Sequence, residues 1–437
     1  MKKVSFIHTS DIHLGHQQFN LEERFHDFAR AFRDVVDYAL DKKVDFMVIG
    51  GDFFHKRAIN AETLRQAMEL LQPLKESGIP VICIEGNHDK AFYQDRSSWL
   101  KLLNSLGYIR LLKPVVSEGK MAVTDWVPEG DGCVTLVGGI RLIGLGYLGV
   151  TTEQRLLEIG EQIEPSHNFT VLVLHAAVNK FLEKDLGGIR KEALDPLREK
   201  IDYLALGHIH TREEDGWFYN PGSLENCHID EAREGREKGF YHVTVTAREK
   251  EVLYIPSGPR PVRLISIDIS GAEDPEEVYS IVRRSLDALV PETGVRPMVQ
   301  VILKGEIDFS ALAIDTTAIS REIKEKGDCL YVEVQNNANL PESDGADPLS
   351  ETVNRPQIER KVLGQLVRRR FPQYKDCQDD LVNLIVRIKE SALAGESPEE
   401  IIEEISLIAR DLPDLDRDSC GEGEAAASAA GGEDIED

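Results

Sequence analysis

Five short apolar segments in the first 210 residues are each followed by polar residues of the types that bind metal ions. Segments of this length and composition are typical of buried β-strands. Because the carboxyl ends of strands in a layered α/β sheet face one edge, we expect the polar motifs to meet there. The segments span residues 4–8, 45–49, 81–84, 170–174 and 203–206, and the motifs are Asp11-Ile-His13, Gly51-Asp52, Gly86-Asn-His-Asp89, His175 and Gly207-His-Ile-His210.

The motifs together provide more donors than one tetrahedral zinc ion can use. The set therefore predicts two metal ions that share one carboxylate. Asp52 is the candidate for the shared ligand, because the glycines before it let the backbone approach closely. Imidazole and carboxylate donors in combination suit manganese, iron or zinc. The candidate ligands are Asp11, His13, Asp52, Asn87, His175, His208 and His210.

Each motif also has a purely structural interpretation. Asp-x-His and Gly-Asp are common strings, whereas Gly-Asn-His-Asp and Gly-His-x-His are rarer, and their order after strands favours the metal site. The isolated His167, His228 and His242 are expected to be surface or core residues. Gly144-Leu-Gly-Tyr-Leu-Gly149 matches a dinucleotide-binding string but lacks a βαβ unit around it, so it predicts a backbone turn.

The order of segments predicts more than one folding unit in this chain of 437 residues. Residues 1–255 alternate strands with amphipathic helices, which are clearest at 21–40 and 61–75. A small α+β unit is expected at 263–336. Its predicted strands are 264–269, 298–304 and 329–334, and its predicted helices are 275–289 and 314–326.

The acidic charge is concentrated towards the carboxyl end. The net charge is −26, and residues 391–437 contribute −13 of it, with 15 acidic residues against Arg410 and Arg417. The −13 that is left on the first 390 residues does not exclude a polyanionic partner. We expect a linker at 337–357, helices within 358–412 and a disordered acidic tail at 413–437.

The cysteines and the N-terminus bear on the compartment. The six cysteines are scattered without a close pair, which argues against a zinc ribbon and fits a reducing compartment. The basic N-terminus is not followed by an apolar segment of signal-peptide length, and no apolar run is long enough to span a bilayer. The sequence therefore predicts a soluble, cytoplasmic protein.

Together the five motifs resemble those of the calcineurin-like metallophosphoesterase superfamily over residues 1–255. Within it, three segments resemble the SbcD-like, meiotic-recombination-eleven branch of DNA double-strand-break nucleases. They are His8-Thr-Ser-Asp-Ile-His-Leu-Gly15, Gly51-Asp-Phe-Phe-His55, and Gly222-Ser-Leu-Glu225 followed by Lys238-Gly-Phe240. The resemblance implies a four-layer α/β/β/α sandwich, a small α+β capping domain at 263–336 and C-terminal helices.

The resemblance also implies a role for each motif residue. His88 would carry no metal; it would stabilise charge on the phosphate and protonate the leaving 3′ oxygen. His55 would act beside the phosphate or the metal ligands. One ion would be held by Asp11, His13, Asp52 and His210, and the other by Asp52, Asn87, His175 and His208.

The implied activity is that of a two-metal phosphodiesterase, with Mn²⁺ as the expected ion. It would hydrolyse DNA at ends as an exonuclease and also act as a single-strand endonuclease. Members of this branch work with an SbcC-type coiled-coil ATPase that binds their C-terminal helices, and residues 358–389 occupy the matching place. The chain has no Walker A string, so any ATP dependence would come from that partner. The basic cluster Arg368-Arg-Arg370 could face DNA, an acidic coiled coil or solvent.

Other assemblies and functions stay open at this point. The branch implies a homodimer formed by helices of the phosphoesterase domain, and residues 97–105 could supply one, although their apolar side chains fit a core equally well. A phosphoesterase for cyclic nucleotides or nucleotide sugars would use the same metal site. A catalytically silent scaffold for an ATPase is the third function, and the presence of every ligand argues against it.

Overall fold

The computed structural model describes residues 3–91, 95, 97–117, 119–178, 189–234, 237–286 and 294–339, together with 363–364, 367, 381–386 and 388. The chain divides into two compact units, Met1–Pro341 and Glu342–Asp437. The described residues of the second unit are all helical, and Val367 and Val382 are buried. Most of the predicted linker and C-terminal helices, and the whole acidic tail, lie outside the described residues. None of the described helices is long and apolar enough to cross a membrane.

The predicted strands and helices of the first unit are all present, with ends shifted by a few residues, and the predicted end of the helix at 275–289 lies outside the described residues. The strands in chain order are β1 Val4–Thr9, β2 Phe46–Ile49, β3 Val81–Cys83, β4 Arg110–Leu111, β5 Val115–Ser117, β6 Lys120–Ala122, β7 Val134–Val137, β8 Ile140–Gly146, β9 Thr170–His175, β10 Tyr203–Gly207, β11 Glu213–Glu214, β12 Phe218–Asn220, β13 Gly239–Thr246, β14 Glu249–Pro256, β15 Val262–Asp268, β16 Met298–Glu306 and β17 Tyr331–Asn339. The helices are α1 Glu22–Lys42, α2 Ala61–Glu76, α3 Trp99–Ser105, α4 Thr152–Gln162, α5 Lys191–Leu194, α6 Pro275–Leu286 and α7 Thr316–Lys326.

Two six-stranded sheets, with strand orders β14-β13-β1-β2-β3-β4 and β11-β12-β10-β9-β8-β7, make up most of the first unit. In the first sheet β1, β2 and β3 run parallel to one another. In the second sheet β8, β9 and β10 do the same. The strands that precede the predicted motifs therefore end on a common edge within each sheet.

Three apolar layers hold helices and sheets together. Side chains of a strand alternate between its two faces, so a strand buried on both sides is apolar throughout. In β1, Phe6 packs against Phe46 and Tyr203 between the two sheets, whereas Ile7 packs in the layer under α1 and α2. Leu204 of β10 packs in the third layer, with residues of α4. The order helix, sheet, sheet, helix confirms the predicted four-layer α/β/β/α sandwich.

The helices over the first sheet follow from the spacing of their apolar residues. In α1, Phe28 and Phe32 are buried four positions apart, which places them on one face. The helix ends where Lys43 adopts a left-handed conformation with φ 51°. The start of α2 is fixed by Asn60, whose side chain accepts a 2.8 Å hydrogen bond from the Thr63 N–H.

The third sheet, β15-β16-β17, is parallel and has its own apolar core with α6 and α7. Val301 of β16 is buried in the same apolar cluster as Ile319 and Ile323 of α7. β17 continues past the predicted end at residue 334, because its backbone pairing with β16 extends to the pair Glu306 and Asn339. Backbone groups form this pairing, so the polar side chains after residue 334 do not end the strand. Residues 337–339 are therefore strand, not linker.

Candidate metal centre

Left-handed backbone conformations at the strand ends turn the motif side chains into one site. Asp11, His13, Asp52 and His208 have φ angles of 52°, 52°, 50° and 91°, which non-glycine residues rarely adopt. Gly51 before Asp52 has φ 98°, and a Cβ atom there would lie 2.5 Å from Nδ1 of His175. Only glycine leaves room for the His175 ring at this position.

All seven predicted metal ligands lie together where the two sheets end. Donor atoms of Asp11, His13 and Asp52 lie within 4.8 Å of one another, and so do those of Asp52, His175 and His208. Asn87 Oδ1 lies 3.2 Å from His175 Nε2 and 3.1 Å from His208 Nδ1. His210 Nε2 lies 3.1 Å from His13 Nε2. Asp52 is common to both groups, and it stays the predicted shared ligand.

The chemistry of this donor set fits two divalent cations. Asp11, His13, Asp52 and His175 are at most 2% exposed, so carboxylates and imidazoles face one another away from water. His13 Nδ1 is buried and has no hydrogen-bond partner among the described residues. Buried charges of this kind occur where they are paired or bind metal.

Asp52 and His175 form a buried ion pair in the site. His175 Nε2 lies 3.3 Å from Asp52 Oδ2, while its Nδ1–H donates to the Gly50 carbonyl at 2.8 Å. Burial favours neutral His175, but the Asp52 carboxylate outweighs it and raises the His175 pKa to about 9. Burial likewise disfavours the Asp52 carboxylate, yet His175 lowers its pKa below the usual aspartate range. A proton on His175 thus balances charge that a metal ion would balance instead.

Glu231, which the sequence analysis did not single out, orients His210. Its Oε1 accepts a 2.8 Å hydrogen bond from His210 Nδ1–H, which leaves Nε2 facing His13. Burial opposes charge on Glu231, but His210 and Lys238 lower its pKa below the usual range. Lys238 Nζ lies 2.6 Å from Glu231 Oε2 and also donates to the His210 carbonyl. In the sequence, Glu231 lies between the Gly222-Ser-Leu-Glu225 and Lys238-Gly-Phe240 segments, and this position is the feature that could have indicated a role at the site.

Asp89 holds two of the motif loops together. Its carboxyl group accepts hydrogen bonds from the N–H groups of Phe53, Phe54 and Gly86 at 2.9–3.1 Å. Burial and the nearby Asp52 raise the Asp89 pKa to about 7, although the three N–H groups favour its charged form. The sequence showed Asp89 within the Gly-Asn-His-Asp motif but gave no indication of this positioning function.

His88 and His55 lie next to the ligands. His88 Nδ1–H donates to the His55 carbonyl at 2.6 Å, and the His88 ring centroid lies 5.1 Å from that of His13. The His55 ring stacks on His88 with centroids 5.5 Å apart. Burial lowers the His55 pKa to about 3, so this imidazole is neutral near pH 7. Donor atoms of His13, His55 and His88 lie within 4.8 Å of one another.

The remaining histidines lie outside the group of seven. His8 is fully buried, where its Nε2–H donates to the Leu206 carbonyl and its Nδ1 accepts from Tyr203. His167 is exposed, and His242 Nδ1 lies 3.1 Å from the Tyr38 hydroxyl. His228 is exposed, as expected for a surface residue, and its ring lies 6.3 Å from that of His210.

Two open cavities flank the centre. One, of about 310 Å³, is lined by Glu85, Lys90, Lys113 and Tyr147 together with apolar side chains. The centroid of the Tyr147 ring lies 5.5 Å from that of His208, and Lys90 Nζ lies 5.2 Å from the Tyr147 centroid. The other cavity, of about 340 Å³, is lined by residues that include His16, His55, Lys56 and His228.

Tyr147 belongs to the glycine-containing string that the sequence analysis interpreted as a turn. Gly146 before it has φ 73°, and the Tyr147 N–H donates to the Glu85 carbonyl at 2.8 Å. The first half of the string is thus the end of β8, and the predicted turn follows at Tyr147. The sequence does not show that Tyr147 lies beside the candidate ligand His208.

Comparison with known proteins identifies the first part of the chain. Residues 4–212 match the calcineurin-like phosphoesterase family. The "DNA double-strand break repair protein Mre11" of Archaeoglobus fulgidus is 32% identical over 54% of this chain and 56% of the relative. The protein of the same name from Saccharolobus solfataricus is 25% identical over 92% of this chain and 99% of the relative. A dimetal phosphatase of known structure from Danio rerio is 13% identical, covers 58% of this chain and 99% of its own, and has a TM-score of 0.37.

The length of the match differs among these relatives. The alignment spans just over half of the Archaeoglobus protein and 45% of the Methanosarcina acetivorans protein of the same name. The family match spans residues 4–212, which include all seven candidate ligands and the strands that carry them. Members of the family use divalent metal ions, and the donor set described above fits such ions. Residues 4–212, which carry the candidate metal centre, are therefore similar to the calcineurin-like phosphoesterases.

Proposed function

We propose that this protein is a two-metal phosphodiesterase that hydrolyses DNA at ends, as the nuclease subunit of a double-strand-break repair complex. Exonuclease activity and single-strand endonuclease activity are both part of the proposal. The observation that carries it is the group of seven donors around Asp52, four of them buried, with His88 beside it. The names of the Archaeoglobus and Saccharolobus relatives support DNA as the substrate.

The ligands divide into two sets that share Asp52. Asp11, His13, Asp52 and His210 would hold one ion, and Asp52, Asn87, His175 and His208 would hold the other. When bound, two divalent ions lower the pKa of water to supply a nucleophile and stabilise charge on the phosphate oxygens. The mixture of carboxylate, amide and imidazole donors suits manganese, iron or zinc, and Mn²⁺ is the proposed working ion.

His88 is the proposed proton donor. Its Nδ1–H is fixed by the 2.6 Å hydrogen bond to the His55 carbonyl, so its Nε2 is available to substrate. A proton on Nε2 would pass to the leaving 3′ oxygen as the P–O bond breaks. The stacked His55 ring supports the orientation of His88 and, being neutral, would bind a phosphate oxygen through an N–H rather than through charge.

The two flanking cavities favour a strand over a small ester. Tyr147 and Lys90 on one side, and His16 and Lys56 on the other, offer aromatic and basic side chains on both sides of the ligands. Single-stranded nucleic acid is bound by such alternation of stacking surfaces and cations. An enclosed pocket for one small molecule would bury most of its ligand instead.

Partners belong to the same proposal. We expect DNA, a second copy of the chain and an SbcC-type coiled-coil ATPase, the last bound by the C-terminal helices. In α3, Leu100 and Leu103 are buried in the core, whereas Trp99 and Leu102 line a cavity of about 630 Å³ at the surface. That cavity is the candidate contact for the second copy.

The deciding experiment is Mn²⁺-dependent nucleotide release from an end-labelled linear duplex. A phosphomonoester serves as the competing substrate, and His88→Ala is the control variant. We expect duplex cleavage by the wild type and its loss in His88→Ala. Brisk turnover of the small ester without duplex cleavage would instead establish a small-molecule phosphoesterase, and no turnover of either would favour the scaffold.

A further inference from the structure

A cysteine lies against the proposed metal centre. Donor atoms of Cys227, His13 and His210 lie within 4.8 Å of one another. Cys227 is 3% exposed and forms no disulfide. No step of the proposed hydrolysis uses its thiol, so the position of this soft donor calls for a separate explanation.

One carboxylate positions two members of this group. Glu231 Oε1 accepts from His210 Nδ1–H at 2.8 Å, and Glu231 Oε2 accepts from the Cys227 backbone N–H at 3.2 Å. Because Nδ1 of His210 is engaged in this way, its Nε2 is the free donor. That atom lies 3.1 Å from His13 Nε2, and His13 Nδ1 has no hydrogen-bond partner among the described residues.

The spacing suits a small tetrahedral ion. Zinc binds nitrogen at about 2.0–2.1 Å and sulfur at about 2.3 Å, which puts neighbouring ligand atoms about 3.4–3.7 Å apart. The two imidazole nitrogens are near that separation, and rotation about the Cα–Cβ bond of Cys227 can adjust its sulfur. Thiolate donors favour zinc, cobalt and cadmium over manganese, which prefers oxygen.

We propose that Cys227, His13 and His210 form a second binding position for a thiophilic divalent ion such as Zn²⁺. On binding, the Cys227 S–H bond is replaced by a sulfur–metal bond, and the proton leaves to solvent. The position shares both histidines with the proposed Mn²⁺ centre, so an ion bound there excludes Mn²⁺ from its neighbour. This inference rests on the proposed roles of His13 and His210 as ligands, but not on DNA as the substrate.

The test is cobalt spectroscopy on the full chain after metal removal with a chelator. Co²⁺ bound by thiolate gives a near-ultraviolet charge-transfer band, and we expect one in the wild type. Cys227→Ser should lose the band. Cys83→Ser is the matched control, because Cys83 is also buried and unpaired but lies in the core at the end of β3. A band that survives in Cys227→Ser, or that is absent from the wild type, overturns the proposal.

A second measurement covers the case in which Cys227→Ser does not fold. Zinc K-edge absorption of the wild type loaded with one equivalent of Zn²⁺ reports the ligand atoms directly. We expect one sulfur and at least two imidazole nitrogens around zinc. A coordination shell of nitrogen and oxygen alone contradicts the assignment.

Competition between ions gives the functional readout. With a chromogenic phosphodiester as substrate, each variant is compared with its own Mn²⁺-supported rate. The zinc concentration that halves this rate should be at least tenfold higher in Cys227→Ser than in the wild type. Equal sensitivity would show that zinc acts elsewhere. If the protein cleaves the small ester but not DNA, the proposed function is wrong. The cobalt and zinc measurements still test the Cys227 site in that case.

Discussion

His13 Nε2 and His210 Nε2 lie 3.1 Å apart, although the two residues are 197 positions apart in the chain. His13 follows β1 in the first sheet, and His210 follows β10 in the second. An ion between them therefore joins the ends of both sheets. Metal binding should accordingly stabilise the sandwich as well as support hydrolysis.

The first prediction concerns that stabilisation. If Mn²⁺ binds the folded state alone, a concentration of 100 times its dissociation constant adds about 2.7 kcal/mol to the free energy of unfolding. For a domain of this size we expect a rise in Tm of roughly 5–10 °C. Asp52→Ala should abolish the rise, and His88→Ala should retain it. Thermal melts with Mn²⁺ and with chelator make the comparison, and an equal rise in Asp52→Ala would refute Asp52 as the shared ligand.

The second prediction separates binding from catalysis. His88→Ala should keep two bound ions but lose turnover by about 10²–10⁴-fold, the usual contribution of a general acid. Asp52→Ala should lose both. Metal content after desalting and single-turnover hydrolysis give the two readouts. Equal metal loss in the two variants would contradict the assignment of His88.

The third prediction concerns Tyr147 beside His208. Stacking of a base on an aromatic side chain is worth about 1–3 kcal/mol, so Tyr147→Ala should raise KM for single-stranded DNA by roughly 5–150-fold. Its kcat for a small chromogenic diester should change little. Tyr108→Ala is the matched control, because Lys75 lies 4.4 Å from the Tyr108 ring in the same kind of contact away from the site. Equal effects of the two substitutions would show that Tyr147 does not contact substrate.

The fourth prediction is an acid sensitivity caused by His8. Burial lowers its pKa from 6.5 to about 3, although its hydrogen bond to Leu206 favours the charged form. Between these values only the unfolded chain binds the proton, so the contribution of His8 to stability is full above pH 6.5 and falls as the pH drops. The loss is about 1.4 kcal/mol per pH unit.

Urea unfolding of the metal-free protein at pH 7.5 and 5.5 measures that loss. His8→Gln should lose less stability between the two pH values than the wild type does. His26→Gln, at an exposed position of α1, serves as the control. If His8→Gln has the same pH dependence as the wild type, His8 is not the source of the acid sensitivity.

The fifth prediction uses the boundary between the two compact units. A chain that ends at Pro341 keeps every described element of the first unit. It should retain Mn²⁺-dependent nuclease activity within about twofold but fail to bind the coiled-coil ATPase. Co-purification of that ATPase with the shortened chain would exclude the C-terminal helices as the docking segment.

Much of this architecture was predictable because its signals are local. The α1 helix follows from apolar residues three and four positions apart, and the candidate ligands come directly after apolar strands. The sequence does not place Glu231 and Tyr147 at the site, because their proximity to it depends on contacts between distant segments. Glu231 lies in a short 3-10 helix at Ile229–Glu234, and Tyr147 in a turn after β8.

The assignment of strands to sheets could not be predicted for the same reason. β1 pairs with β13, more than 230 residues away, and only the packing of the finished sandwich selects that partner. Edge strands such as β4 and β11 contain two residues each, too few for any periodicity to mark them. The prediction that two sheets exist came from the family resemblance rather than from periodicity.

The left-handed backbone at Asp11, His13, Asp52 and His208 has an evolutionary consequence. A side chain in that conformation costs of the order of 1 kcal/mol or more, and glycine would relieve the cost while removing the donor. In a relative that no longer needs to bind metal, substitution of these residues by glycine would increase the stability of the fold. Glycine there, in a relative that keeps both sheets, would mark a chain that has abandoned catalysis while keeping its fold.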